Sequence, residues 1–119
     1  MKASSAHRLG RSDRRSTRRT IDRMVQCIVE RFDPERIILF GSHARGTANA
    51  DSDVDLLIVM RYHGSSAQAQ AAIRLALSEF PAAKDIVVAT PEEFAWRSLV
   101  PGTIERPAAI EGEVVHARR

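Results

Sequence analysis

A small α+β domain, a mixed β-sheet with helices packed mainly on one face, is the fold class this sequence predicts. Three observations carry the prediction. Short apolar runs at residues 36–40, 54–60 and 85–89 have strand length and β-branched content. Between them the apolar residues recur at helical three- and four-residue spacing. The chain has 119 residues, which suits one core and leaves no room for a separate substrate-binding domain. The predicted order is helix, strand, helical turn, strand, helix, strand, helix and short strand.

Residues 1–15 are expected to form a basic, disordered tail, and residues 16–119 the domain. Residues 1–23 hold eight basic and two acidic residues, a net +6, so the remainder of a chain of net +3 carries −3. The basic character therefore belongs to the N-terminal end. That end has no aromatic residue to stack on a base, which argues against specific nucleic-acid recognition and leaves at most weak attraction through the tail. It also lacks the apolar stretch of a secretory signal, while its Arg- and Ser-rich composition imitates a transit peptide.

From about Ser16, the residues Ile21, Met24, Val25, Ile28, Val29 and Phe32 form one helical apolar face. Asp33-Pro34 ends that helix. Arg36–Phe40 reads as a buried strand, broken by Gly41-Ser42. Residues 43–49 read as a tight polar turn containing one helical turn. Val54–Met60 is apolar on both faces, which places it centrally in the sheet. After Gly64-Ser65-Ser66, residues 67–80 form a helix stopped by Pro81. Asp85–Ala89 is the third strand. Thr90 can cap the next helix, with Pro91 in its first position and Glu93 completing a capping box. That helix reaches about Val100 and ends at Pro101-Gly102. A short helix between Thr103 and Glu111 is expected to begin or break near Pro107, and Val114–His116 forms a last edge strand.

Several function classes fall away. No apolar run approaches the roughly 20 residues needed to span a bilayer, so no membrane role is expected. The single cysteine, Cys27, cannot form an internal disulfide and reads as a small core residue. The localisation expected on these grounds is cytoplasmic. His7, His63 and His116 do not show zinc-site spacing.

Asp53 and Asp55 carry the strongest chemical signal. Residues two apart in a strand share a face, with Cα atoms roughly 6.6 Å apart. Two carboxylates at the start of an apolar strand repel one another, and a divalent cation removes that conflict. Capping of a solvated strand end is the plain alternative. Gly41 and Ser42 follow a buried strand directly, where a glycine lets the backbone approach a ligand closely. Ser42 offers a hydroxyl and a backbone N–H, and Arg45 is a natural phosphate partner. Asp85 opens the third strand; beside the second strand it would face the same site, and three carboxylates suffice for two metal ions. Asp85 can equally pair with Lys84 or an arginine. His43, Asp51 and Ser52 read as loop residues, and Trp96 as core or interface.

The run from Ile38 through Phe40-Gly41-Ser42-His43-Ala44-Arg45 to Gly46, followed by Asp51-Ser52-Asp53-Val54-Asp55-Leu56-Leu57-Ile58, resembles the signature of the DNA polymerase beta-like nucleotidyltransferase superfamily. It is most similar to the small bacterial and archaeal branch, the minimal nucleotidyltransferases. The likeness runs from about Thr20 to His116. It implies a nucleotidyltransferase fold like the polymerase beta palm. It also implies ATP as substrate, Ser42 on the triphosphate, and two Mg²⁺ ions held by Asp53 and Asp55 with Asp85 completing the triad. Pro107 departs from the uninterrupted helix expected of the family.

Members of this branch often resemble the antitoxin half of a pair whose other half is a helical HEPN-domain ribonuclease toxin. The resemblance thus implies transfer of AMP to a hydroxyl on such a protein. Two other functions stay open at this point: a binding module that neutralises its partner by contact, and nucleotidylation of a small molecule such as an aminoglycoside. For acceptor docking, Trp96, Leu99, Val100 and Ile104 form a candidate surface, unless they close the core.

Overall fold

The computed structural model describes residues 11–49 and 51–118. Its elements are α1 (Arg11–Phe32), β1 (Arg36–Phe40), α2 (Ser42–Arg45), β2 (Val54–Val59), α3 (Ser66–Ala76), β3 (Lys84–Ala89), α4 (Pro91–Arg97), α5 (Glu105–Glu111) and β4 (Glu113–Ala117). The strands form one mixed sheet in the order β3-β2-β1-β4, with β2 and β3 parallel and the other pairs antiparallel.

The central position of β2 follows from its composition. Val54, Leu56, Leu57, Ile58 and Val59 are all buried, and side chains alternate across the sheet, so both faces are covered. On one face Ile37, Leu39, Leu56, Ile58, Ile86 and Val88 meet the apolar stripe of α1 (Ile21, Met24, Val25, Ile28) and Ile73 and Leu77 from α3 and its C-terminal end. On the other face Ile38, Leu57, Val59 and Ala89 pack against Ala108 of α5, with Phe94 of α4 alongside. The two long helices thus share one face, and two short helices cover part of the other.

Helix α1 starts at Arg11, five residues before the sequence-predicted start at Ser16. Arginine is a good helix former, and the polar residues there hide the apolar periodicity that marks the rest of the helix. The helix therefore takes in the last residues of the segment read as tail; residues 1–10 lie outside the described part. At its other end Asp33 turns left-handed, with φ 47°, just before Pro34. Helix α4 carries both halves of the predicted capping box: Glu93 N donates to Thr90 Oγ1 at 3.1 Å, and Thr90 N to Glu93 Oε1 at 2.9 Å. Pro107 lies in the first turn of α5, where backbone N–H groups have no partner within the helix, so the ring breaks no helical bond.

The apolar residues of the C-terminal region do not close the core. Trp96 is 58% exposed, Leu99 73% and Ile104 49%. Helix α4 is only seven residues long and turns its Phe94 inward, which leaves Trp96 on the solvent side.

Candidate active site

The registers of the sheet assemble the site. Phe40, the last residue of β1, lies opposite Asp55. In the parallel β2–β3 pair, Asp55 lies beside Asp85. Both aspartates share parity with Leu57, Val59, Val87 and Ala89, and so belong to the face away from α1 and α3. Asp53 precedes β2 and is exposed, Asp55 is half-buried, and Asp85 is exposed.

Immediately after Phe40 the chain turns through Gly41, at φ 74° and ψ −155°. That region of backbone space is open essentially to glycine alone. A β-carbon there would overlap the Oδ2 atom of Asp55. The glycine therefore serves two needs at once: it makes the turn into α2, and it lets a carboxylate lie against the backbone. Helix α2 then supplies Ser42 at its start and Arg45 at its end. Ala44 N and Arg45 N both donate to Gly41 O at 3.1 Å.

The electrostatics single out Asp55. Burial pushes its carboxyl above the ordinary aspartate range, and the charges of Asp85 and Asp53 push it the same way; His43 and Arg45 act in opposition. An ionised Asp55 is thus held in a negative field that a cation would relieve.

Two arginines lie at the margins. Arg74, near the C-terminal end of α3, donates to Asp85 Oδ1 at 3.3 Å. Arg45 reaches Glu111 Oε1 of α5 at 3.5 Å. Sequence reading allowed an arginine partner for Asp85, but Arg74 was not legible as that residue: it is one exposed arginine on an amphipathic helix, and only the α3–β3 connection brings it round. Lys84, the other candidate, donates to Phe80 O at 3.0 Å instead. His43 also comes closer to the site than its place in the sequence suggests, with Nε2 3.3 Å from Ser52 O. Asp51 and Ser52 belong to a turn in which Asp51 N donates to Asn49 Oδ1 at 2.8 Å and Asn49 N to Ser52 Oγ at 2.9 Å.

A cleft of about 480 Å³ opens between Thr17, Thr20, His43, Asn49, Asp51 and Ser52, with Asp51 the one acid that lines it. None of Asp53, Asp55 and Asp85 lines it. Its walls hold no cluster of charge to act on a phosphate, so the carboxylates mark the chemistry better than the concavity does.

The donor set suits a hard cation. Carboxylate oxygens, with no cysteine among them, match Mg²⁺, which usually takes one or two carboxylates together with substrate phosphates. Among the described residues no three His, Cys, Asp or Glu side chains converge tightly enough to hold an ion by themselves. Asp85 is turned onto Arg74. Asp53 and Asp55, with the Asp55 field seeking positive charge, are the residues that fit.

Comparison with known proteins gives the family and the fold. The nucleotidyltransferase domain family matches residues 21–110. A structure assigned to the nucleotidyltransferases, from Sulfolobus solfataricus, superposes with a TM-score of 0.60 at 19% identity, covering 88% of this chain and 84% of the other. A toxin–antitoxin structure with AMP-PNP also gives 0.60, at 17% identity over 82% and 74% of the two chains. A structure assigned to the minimal nucleotidyltransferases gives 0.50, at 28% identity over 82% and 92%. No curated protein matches the chain. Among the described residues no helix is long and apolar enough to cross a membrane.

Proposed function

We infer that this chain, which belongs to the nucleotidyltransferase domain family, transfers AMP from ATP to a hydroxyl group of a separate protein, a HEPN-type toxin, and so acts as its antitoxin. The observation that carries the reading is the placing of the Asp55 carboxylate against the Gly41 backbone, with Asp53 and Asp85 close enough to raise its pKa.

In this reading Asp53 and Asp55 would hold Mg²⁺, and Asp85, freed from Arg74, would complete the set. Gly41 leaves the backbone open to the triphosphate, Ser42 offers it a hydroxyl and an N–H, and Arg45 turns from Glu111 to a phosphate oxygen. Mg²⁺ held there would neutralise triphosphate charge and lower the pKa of the acceptor hydroxyl. The acceptor oxygen forms a bond to the α-phosphorus, the bond from that phosphorus to the β-phosphate oxygen breaks, pyrophosphate leaves, and the hydroxyl proton passes through the carboxylate cluster to solvent.

The protein acceptor rests on two supports. The toxin–antitoxin structure with AMP-PNP shares this fold, and it joins a nucleotide and a protein partner in one assembly. The chain also exposes Trp96, a residue type enriched among interface anchors, together with the apolar Leu99, Val100 and Ile104. The same exposed residues favour a second reading, neutralisation by contact alone. ATP labelled at the α-phosphate, incubated with Mg²⁺, this protein and a candidate HEPN-type partner, separates the two. Label on the partner from α-labelled but not γ-labelled ATP supports transfer. Inhibition of the partner with neither label attached supports contact alone.

A further inference from the structure

We propose that the outward face of α1 binds the phosphate backbone of a double-stranded nucleic acid without regard to sequence. Arg15, Arg19 and Arg23 recur at intervals of four, and the spacing extends in the sequence to Arg11. Four residues of α-helix rise about 6 Å and return nearly to the same side, so these arginines form a ladder along one face. All three are exposed, on the side opposite the buried Ile21, Met24, Val25 and Ile28.

Like charges at this spacing repel and weaken their own helix. Among the described residues the neighbouring acids are engaged elsewhere. Asp22 is taken by Arg18 at 3.3 Å, and Arg18 also reaches Glu113 at 3.1 Å. Glu30 accepts from Gln26 at 2.9 Å. Among the described residues, Arg15, Arg19 and Arg23 form no ion pair within 4.0 Å. Among the described residues the three arginines outnumber the one acid on the stripe, Asp22, which Arg18 already engages, and residues 24–119 are net negative.

The chemistry of the face selects the partner. The exposed residues between the arginines, Ser16, Asp22 and Gln26, are polar, so a protein would find no apolar centre to bury. An interface with a phosphate backbone needs none, being polar and strongly positive. The stripe carries no aromatic residue to stack on a base, which removes the advantage of a single strand and leaves charge density, higher in a duplex, to decide. The surface is also separate from the donor site, since α1 covers the face of the sheet opposite Asp55 and Asp85.

Fluorescence anisotropy on the full chain, with labelled DNA and RNA duplexes of about 20 base pairs and the matching single strands between about 50 and 200 mM salt, tests this. Duplex affinity should fall linearly on a log–log plot against salt. The triple variant Arg15→Gln/Arg19→Gln/Arg23→Gln should bind at least about tenfold more weakly, with a slope smaller by about 3, or about 0.9 per lost contact. Arg19→Gln alone should reduce the slope by about 1. Arg31→Gln, on the same helix outside the stripe, should bind as the wild type does. Asp53→Asn should also keep duplex affinity, so that loss of transfer and loss of duplex binding are distinguishable. Comparison of the DNA and RNA arms assigns the type of duplex. Unchanged affinity and slope in both the triple and the single variant would overturn the proposal. So would tighter binding to polyglutamate, or to single strands, than to duplex.

Discussion

The Asp55 carboxylate occupies the space that a β-carbon on Gly41 would need. The last turn out of β1 and the half-buried acid of β2 are therefore coupled by shape. Gly41→Ala should lose about 1–3 kcal/mol through its backbone conformation alone, φ 74° and ψ −155°. The overlap with Asp55 adds to that cost. Because the two effects have different origins, a double-mutant cycle separates them. In an Asp55→Ala background the overlap is gone and the strain remains, so Gly41→Ala should then cost less. Equal loss of melting temperature in both backgrounds would show that the residues are not coupled.

The raised pKa of Asp55 gives a pH dependence of definite sign. The folded protein holds the Asp55 proton more tightly than the unfolded chain does, because of burial first and then Asp85 and Asp53. Its contribution to stability is fully present below the ordinary aspartate pKa of 3.8 and is lost as pH rises through the raised folded value. Metal-free Asp55→Asn should therefore melt higher than the wild type at neutral pH, with the difference shrinking in acid. A lower melting temperature at neutral pH would mean that the ionised carboxylate stabilises the fold.

Arg74 and Asp85 form a solvent-exposed pair at 3.3 Å, with side chains 48% and 53% exposed. Such pairs contribute about 0–1 kcal/mol, so Arg74→Gln should barely move the melting temperature. It should strengthen Mn²⁺ binding, since Asp85 loses a competing cation. Calorimetric titration with Mn²⁺ reads this directly, and weaker binding would show that Arg74 supports the site instead of masking part of it.

Trp96 is 58% exposed and lies outside the core; the proposed function assigns it to the partner surface. Trp96→Ser should leave the melting temperature within about 2 °C, as surface changes generally do, and should weaken co-purification with the helical partner. A large drop in melting temperature would return Trp96 to the core.

The fold and the acidic trio were legible for different reasons. Strands β1, β2 and β3 announce themselves as apolar runs bounded by glycine, proline and acid, and the Thr90–Glu93 box marks the start of α4 in sequence alone. Asp53 and Asp55 stand out because two carboxylates at the head of an apolar strand demand an explanation. The start of α1 at Arg11 was hidden, because its first turns are polar and show no apolar period. The contacts of Asp85 with Arg74 and of Arg45 with Glu111 were hidden as well. The second joins residues far apart in sequence, and the first spans the α3–β3 connection, whose course no local pattern encodes. Exposure of Trp96 was hidden too, because which side of α4 faces the core is set by Phe94 packing inward; α4 also ends at Arg97, short of the Val100 that the sequence predicts.

Intact mass spectrometry of the partner tests the central claim most directly. Incubated with ATP, Mg²⁺ and the wild-type chain, the partner should gain about 329 Da for each AMP joined to it. Asp53→Asn, which removes one carboxylate of the donor site, should add nothing while still forming the complex. A partner that is inhibited without gaining mass, equally by the wild type and by Asp53→Asn, would contradict the transfer reaction and leave contact alone as the function.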